Sequence, residues 1–197
     1  NGIPDDFKYL VPVESNFTNA TSPSGAKGFW QFMAPTAKEL GLRINDKVDE
    51  RYNVELATKA ACVFINDLYR RFGNWTLTAA AYNGGAGRIS KELKAQKVSN
   101  FYDLYLNAET SKYVFRILAI KEVMSDPESF GYDIEQVNMY KPIQVSKRLT
   151  IDTSITSLTN FAISNGTTYK MLRYMNPWIT DRDLPVAAGK SYEILIP

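Results

Sequence analysis

Between Asn53 and Phe72 apolar side chains recur every three or four residues: Val54, Ala57, Ala61, Phe64, Ile65, Leu68 and Phe72. That period lays them along one stripe of an α-helix, and Gly73 supplies its stop. No other stretch restricts the fold as strongly. Shorter segments around it share the helical spacing. Asp5 or Asp6 can cap a helix running to about Ser15. Pro12 lies inside that run and is expected to make its end irregular. Thr36 to Leu40 reads as a short helix stopped by Gly41. Leu77 to Tyr82 reads as another, closed by Asn83-Gly84-Gly85. Gly84, Gly85 and Gly87 together exclude a helix interior there. Ile89 to Ala95 and Glu109 to Met124 follow, the latter ended by Asp126-Pro127. This half reads as all-α, with no strand alternation.

Near residue 137 the pattern changes. Ile143, Val145, Leu149 and Ile151 alternate as a short strand does. Thr153 or Ser154 can cap a helix through Ile163, with Asn165-Gly166 as its stop. Thr167 or Thr168 can cap a second helix through Met175, stopped at Asn176-Pro177. Tyr192 to Ile196 reads as a closing strand. The order is β-α-α-β. The expected fold class is therefore mainly α: a helical domain over residues 1–137, then a small α+β module over residues 138–197. No low-complexity linker separates them. A chain of 197 residues has room for a domain and a small module.

Composition removes whole classes of function. The chain has no histidine, which excludes a Ser-His-Asp triad, a Cys-His pair and the histidine zinc sites. Proton transfer must fall to Asp, Glu, Lys, Tyr or Cys62. Cys62 is the single cysteine, so no internal disulfide can form. Among apolar helical neighbours it reads as a packed thiol. The net charge is +2 and the longest basic cluster is Arg70-Arg71, too little for a nucleic-acid partner. No run reaches the length of a transmembrane helix. No signal peptide opens the sequence, and Asn1-Gly2-Ile3-Pro4 reads as the start of a mature fragment.

Four short stretches carry chemistry. In Leu10-Val11-Pro12-Val13-Glu14-Ser15-Asn16-Phe17 a glutamate ends an apolar helical run. A carboxyl on such a surface loses hydration, which raises its pKa and suits it to donate a proton near neutral pH. Alone, Glu14 reads better as a surface residue at a helix end. The second stretch, Ser22 to Met33, combines Gly25 and Gly28 with Phe29, Trp30, Gln31 and Phe32. Its small residues let a backbone pass close to a ligand, Gln31 carries donors and an acceptor for sugar hydroxyls, and Trp30 is a candidate cleft wall. Phe29 and Phe32 read as core. The third, Ala80 to Gly87, places Tyr82 and Asn83 beside the glycines. In the fourth, Glu109-Thr110-Ser111-Lys112-Tyr113-Val114, Glu109 and Tyr113 share a helix face.

Together the four stretches resemble the lytic transglycosylase domain of the lysozyme-like superfamily, soluble-transglycosylase type. That family shows Glu-Ser, Gly-Leu-x-Gln-x-Met, Ala-Tyr-Asn and Glu-Thr-x-x-Tyr-Val, in this order. Here they stand as Glu14-Ser15, Gly28 through Met33, Ala81-Tyr82-Asn83 and Glu109 through Val114, with Phe29-Trp30 where Leu-Met is usual. The resemblance implies a lysozyme-like helical fold with Glu14 as acid/base. Ser15, Gln31, Met33, Tyr82, Asn83, Glu109 and Tyr113 would line the cleft, Tyr113 close to Glu14 and Glu109 touching substrate. It also implies non-hydrolytic cleavage of the β-1,4 bond between N-acetylmuramic acid and N-acetylglucosamine. Glu14 would protonate the linking oxygen, and the 2-acetamido group of the muramic sugar would stabilise the positive charge. Glu14 would then take the proton of the C6 hydroxyl, which closes on C1 to leave a 1,6-anhydro end. No metal and no organic cofactor is implied, and no second carboxylate acts as nucleophile. The alternatives are a hydrolytic muramidase or chitinase on the same scaffold, and a non-catalytic peptidoglycan-binding protein.

The C-terminal part resembles a LysM module, which binds N-acetylglucosamine-containing glycans. Phe161-Ala162, Asn165-Gly166-Thr167-Thr168, Leu172, Asn176-Pro177, Leu184-Pro185 and Gly189 through Pro197 carry that likeness. Ile151-Asp152-Thr153-Ser154 stands where the usual Gly-Asp-Thr-Leu turn would, and a structural appendage is the other reading. The order of the two parts is similar to the membrane-bound lytic transglycosylase D type. It implies a periplasmic enzyme of a diderm bacterium, often lipid-anchored to the outer membrane, the anchor lying outside this sequence. The expected partner is the glycan strand of peptidoglycan, and the chain is expected to be a monomer.

Overall fold

A computed structural model describes residues 2–135, 137, 139–141 and 144–197. Among them the α-helices, in chain order, are α1 (Leu10–Ser15), α2 (Ala34–Glu39), α3 (Val54–Phe72), α4 (Trp75–Gly84), α5 (Ala86–Gln96), α6 (Ala108–Ser125), α7 (Leu158–Ser164) and α8 (Tyr169–Met175). Two strands, β1 (Lys147–Ile151) and β2 (Tyr192–Ile196), pair antiparallel with Leu149 opposite Ile194. The fold is thus mainly helical with a small β-α-α-β part, as the periodicity indicates. No described helix is long and apolar enough to cross a membrane. The chain forms two compact units that do not follow chain order. One is Asn1–Thr18 with Thr58–Glu135, and the other is Asn19–Ala57 with Gln136–Pro197.

The first unit is built around α4 and α6. Ala79, Ala80 and Ala81 are buried on α4, and their small side chains let α6 approach closely. The contact is tight enough that a Cβ on Gly84 would lie 2.9 Å from the Thr110 methyl. The glycines fall at helix ends: Gly84 is the last residue of α4 and Gly87 the second of α5. Gly85 alone breaks the two, with φ of 84°. Asn74 and Asn107 cap α4 and α6, their side chains accepting from backbone N–H groups two or three residues on. Both helices therefore begin earlier than apolar spacing indicates.

The amino-terminal segment also differs from expectation. Asp5–Tyr9 is a 3-10 helix with no side-chain cap, and α-helical turns start only at Leu10. Pro12 falls in the first turn of α1, where a missing N–H costs no helical bond, so the residue is accommodated without a break. Trp75 packs edge-on against Phe7 at 5.2 Å and stacks on Tyr69 at 3.8 Å. Cys62, expected to be packed, is half-buried on α3.

In the second unit, Leu158, Ala162, Leu172, Trp178, Ile179, Leu184, Tyr192, Ile194 and Ile196 share a core with Val48. The amide of buried Asn176 pairs with both backbone groups of Leu195 at 2.7 and 2.8 Å, which satisfies that residue's outward-facing groups on β2. The cap of α7 is Ser157, not Thr153 or Ser154. The chain before it is held extended by pairing of Ile155 with Leu184, so a helix cannot start sooner. Thr168 caps α8. Ile143 lies outside the described residues, and Val145 precedes β1.

Candidate active site

Glu14 stands in the last turn of α1. Asn16 and Phe17 follow with φ of 49° and 57°, a left-handed pair that ends the helix at once and is costly for a phenylalanine. Thr18 donates to the Ser15 carbonyl through both Oγ1 (2.7 Å) and N–H (3.0 Å). Ser15 is buried, its hydroxyl donating to the Val11 carbonyl at 3.0 Å. The backbone that presents Glu14 is therefore braced on both sides.

Tyr113 on α6 is 1% exposed and donates its hydroxyl to Glu14 Oε1 at 2.5 Å. Burial raises the Glu14 pKa, the bond from Tyr113 lowers it, and the charge of Glu109 raises it, with a net shift above the ordinary 4.5. Burial and the charge of Glu14 push the phenols of Tyr82 and Tyr113 well above their usual value, so both stay neutral. Tyr82 is half-buried at the end of α4, its ring 5.5 Å from that of Phe64. Asn83 joins α4 to α6: Nδ2 donates to Glu109 Oε1 at 3.0 Å, and Oδ1 accepts from Thr110 Oγ1 at 2.9 Å. The exposed Glu109 carboxylate is thereby held by an amide. A braced carboxyl with a raised pKa beside two neutral phenols suits general acid–base chemistry.

These assignments predict opposite movements of the Glu14 pKa. Tyr113→Phe removes a donor to the ionised form and should move it up. Glu109→Gln removes a repelling charge and should move it down. An NMR titration of the Glu14 side-chain carboxyl reads both, and shifts of the same sign would refute the arrangement. The folded state also holds this proton more tightly than the unfolded chain. Glu14's contribution to stability is thus full below pH 4.5 and lost as pH rises through the folded pKa.

Of the residues singled out in the sequence, Glu14, Ser15, Tyr82, Asn83, Glu109 and Tyr113 all belong to the first unit. Gln31 and Met33 belong to the second. Gln31 has φ of 50°, and its Nε2 donates to the carbonyls of Gly28 (2.7 Å) and Ala20 (3.1 Å). Both amide hydrogens are thus used by the loop's own backbone, and the group left for a ligand is the Oε1 acceptor, not donors and acceptor together. Met33 is 43% exposed. Trp30, a candidate cleft wall, is buried at 7% exposure with Phe32 at 3%. Their loop folds back through pairings of Lys27 with Thr21 and Phe32, which turns these rings inward. Thr110, Asp49 and Arg51 escaped the sequence reading. Thr110 lies within the Glu-Thr stretch, whereas a run of three charges reads as solvated surface.

Comparison with known proteins bears on the family of the chain. Residues 2–104 match the family model for the transglycosylase SLT domain, and residues 147–197 match that for the soluble lytic transglycosylase C-terminal LysM-like domain. The chain is 32% identical over 160 residues to membrane-bound lytic murein transglycosylase D of Escherichia coli K12, covering 74% of this chain and 35% of that protein. It is 36% identical over 138 residues to peptidoglycan transglycosylase gp16 of Escherichia phage T7, covering 66% of this chain and 10% of that protein. The chain therefore spans about a third or less of these relatives. The SLT match takes in Glu14, Gln31 and Tyr82-Asn83 and extends over more than half of the sequence: the chain belongs to the transglycosylase SLT family, with a LysM-like domain at its carboxyl end.

Proposed function

We propose that this chain is a peptidoglycan lytic transglycosylase in which Glu14 is the single acid and base. The observation that carries the reading is the Glu14 carboxyl, half-buried, bonded to the Tyr113 phenol at 2.5 Å and shifted toward its protonated form. Such a carboxyl protonates the oxygen between N-acetylmuramic acid and N-acetylglucosamine. The substrate's 2-acetamido group stabilises the charge on C1. Glu14, now ionised, removes the C6 hydroxyl proton, and that oxygen closes on C1 to give the 1,6-anhydro end. Ordinary glycosidases use two carboxylates. Here the second one nearby, Glu109, is engaged by Asn83, which supports substrate contact rather than attack. Ser15, Gln31, Met33, Tyr82, Asn83, Glu109 and Tyr113 are the residues assigned to bind the glycan strand.

In sequence terms, residues 1–137 form the catalytic domain and 138–197 the LysM-like module. Glycan strands are the partner. The setting is periplasmic, with membrane attachment through a lipid outside this sequence, and the working form is a monomer.

Mass spectrometry of murein digested by the chain tests the reaction. The expected muropeptides end in 1,6-anhydro-muramic acid and take up no oxygen from labelled water. Products with reducing muramic ends would assign a hydrolase instead.

A further inference from the structure

Three consecutive charged residues, Asp49, Glu50 and Arg51, are 3%, 2% and 4% exposed in the second unit, and the acid–base chemistry uses none of them. Arg51 Nε and Nη2 donate to the two carboxylate oxygens of Asp49 at 2.9 and 2.7 Å. Its Nη1 donates to the carbonyls of Gly25 and Phe32, at 3.1 Å each. One guanidinium thus clamps both ends of the loop that contains Gly28 and Gln31. Burial raises the Asp49 pKa, but the bonds and charge of Arg51 outweigh it and hold the carboxyl below its ordinary value. The Arg51 carbonyl also abuts Gly28 directly.

On its other side the same segment is built into the C-terminal module. Asp49 N–H donates to the Trp178 carbonyl at 2.8 Å, and Thr180 N–H donates to the Lys47 carbonyl at 2.9 Å. Val48 pairs with Ile179 and is fully enclosed in the module core. The Lys47 ammonium bonds Asp181 and Asp183 at 2.5 and 2.8 Å. The Arg43 guanidinium lies 3.8 Å over the Tyr192 ring and donates to the Ser191 carbonyl at 2.8 Å. Packed side chains and hydrogen bonds in unbroken series are a physical route by which one part of a fold sets the geometry of another.

We propose that the C-terminal module contributes to turnover by positioning the Gly25–Phe32 loop. The module's Trp178–Thr180 segment places Val48-Asp49, and the Asp49–Arg51 pair transmits that placement to the backbone around Gln31. Arg51 is a positioning residue, and the inference rests on the reading that Gln31 binds the glycan strand. Lysine at this site keeps a charge for Asp49 but lacks the planar fork that reaches both carbonyls.

The test compares Arg51→Lys and Ile179→Ala, each in the full chain, by amide hydrogen exchange and by steady-state kinetics on purified glycan strands. The N–H groups of Gly25, Lys27, Gly28 and Gln31 donate to the carbonyls of Ser22, Phe32, Ala20 and Gly28 respectively. In both variants they should exchange about tenfold faster while α6 keeps its protection. KM should rise by about tenfold with kcat within about twofold, the pattern of lost uniform binding. Unchanged loop protection in Ile179→Ala would overturn the proposal, as would faster exchange spread equally over α6. A loosened loop with unchanged KM would also overturn it, by removing Gln31 from binding. Cleavage retained by Glu14→Gln would overturn the acid assignment alone, and the exchange result does not depend on it.

Discussion

Replacing Glu14 with glutamine should leave a folded chain that no longer cuts glycan strands, with kcat reduced by about 10²- to 10⁴-fold, the range for loss of a general acid or base. The upper end is expected, because one group serves both half-reactions and no histidine is present to substitute. The amide is nearly isosteric and can still accept the Tyr113 hydroxyl, but it has no acidic proton to give and cannot take one back. The stability consequence has the opposite sign. Burial disfavours the charged form of Glu14, so at pH values above its folded pKa a neutral amide removes an unfavourable buried charge. At such pH values the variant should melt at or above the wild-type temperature, while glycan binding persists. Release of soluble muropeptides together with thermal melting decides the matter: undiminished turnover removes Glu14 from its role, and loss of folding removes the variant as evidence.

Gly28→Ala should be the most damaging small substitution in the second unit. Gly28 has φ of 78°, and a Cβ there would lie 2.0 Å from the Arg51 carbonyl oxygen. No rotamer relieves that clash, because both partners are backbone. The left-handed backbone alone costs an alanine about 1–2 kcal/mol, and displacement of the Arg51 carbonyl adds to it. The expected loss is at least about 2 kcal/mol, or about 4–8 °C in Tm for a chain of this size. Calorimetry measures it directly. A control is Gly41→Ala, where φ is 86° but nothing lies within 4 Å of the added Cβ; it should show only the backbone part. Equal losses at the two positions would mean that the contact with Arg51 carries no weight.

The helical class of the first part and the β-α-α-β order of the second were legible in the sequence, because apolar period, glycine stops and Ser/Thr caps act over a few neighbouring residues. Tyr192–Ile196 and the Thr168 cap of α8 follow from such local signals. Glutamate, tyrosine and asparagine at Glu14, Tyr82-Asn83 and Glu109/Tyr113 were equally visible as residue types in an order that one family uses. The boundaries of α4 and α5 were misjudged for a reason outside local propensity. Gly84 ends α4, and it has to be glycine because Thr110, on another helix, fills the space a side chain would need. The start of α7 was misplaced because pairing with Leu184, far along the chain, keeps Ile155 extended.

The chemistry of single groups divides in the same way. Sequence determined which side chains could hold a proton, and the lack of histidine left few. Only tertiary structure decided that Glu14 is desolvated and met by the Tyr113 hydroxyl, since both depend on a helix that arrives from much later in the chain. Likewise, the charged run Asp49-Glu50-Arg51 reads as solvated until the module core encloses Val48 and the Gly25 and Phe32 carbonyls accept from Arg51. The physical reason is common to both cases. Propensity and capping are properties of adjacent residues, whereas burial, partner and pKa are set by whatever the fold brings into contact.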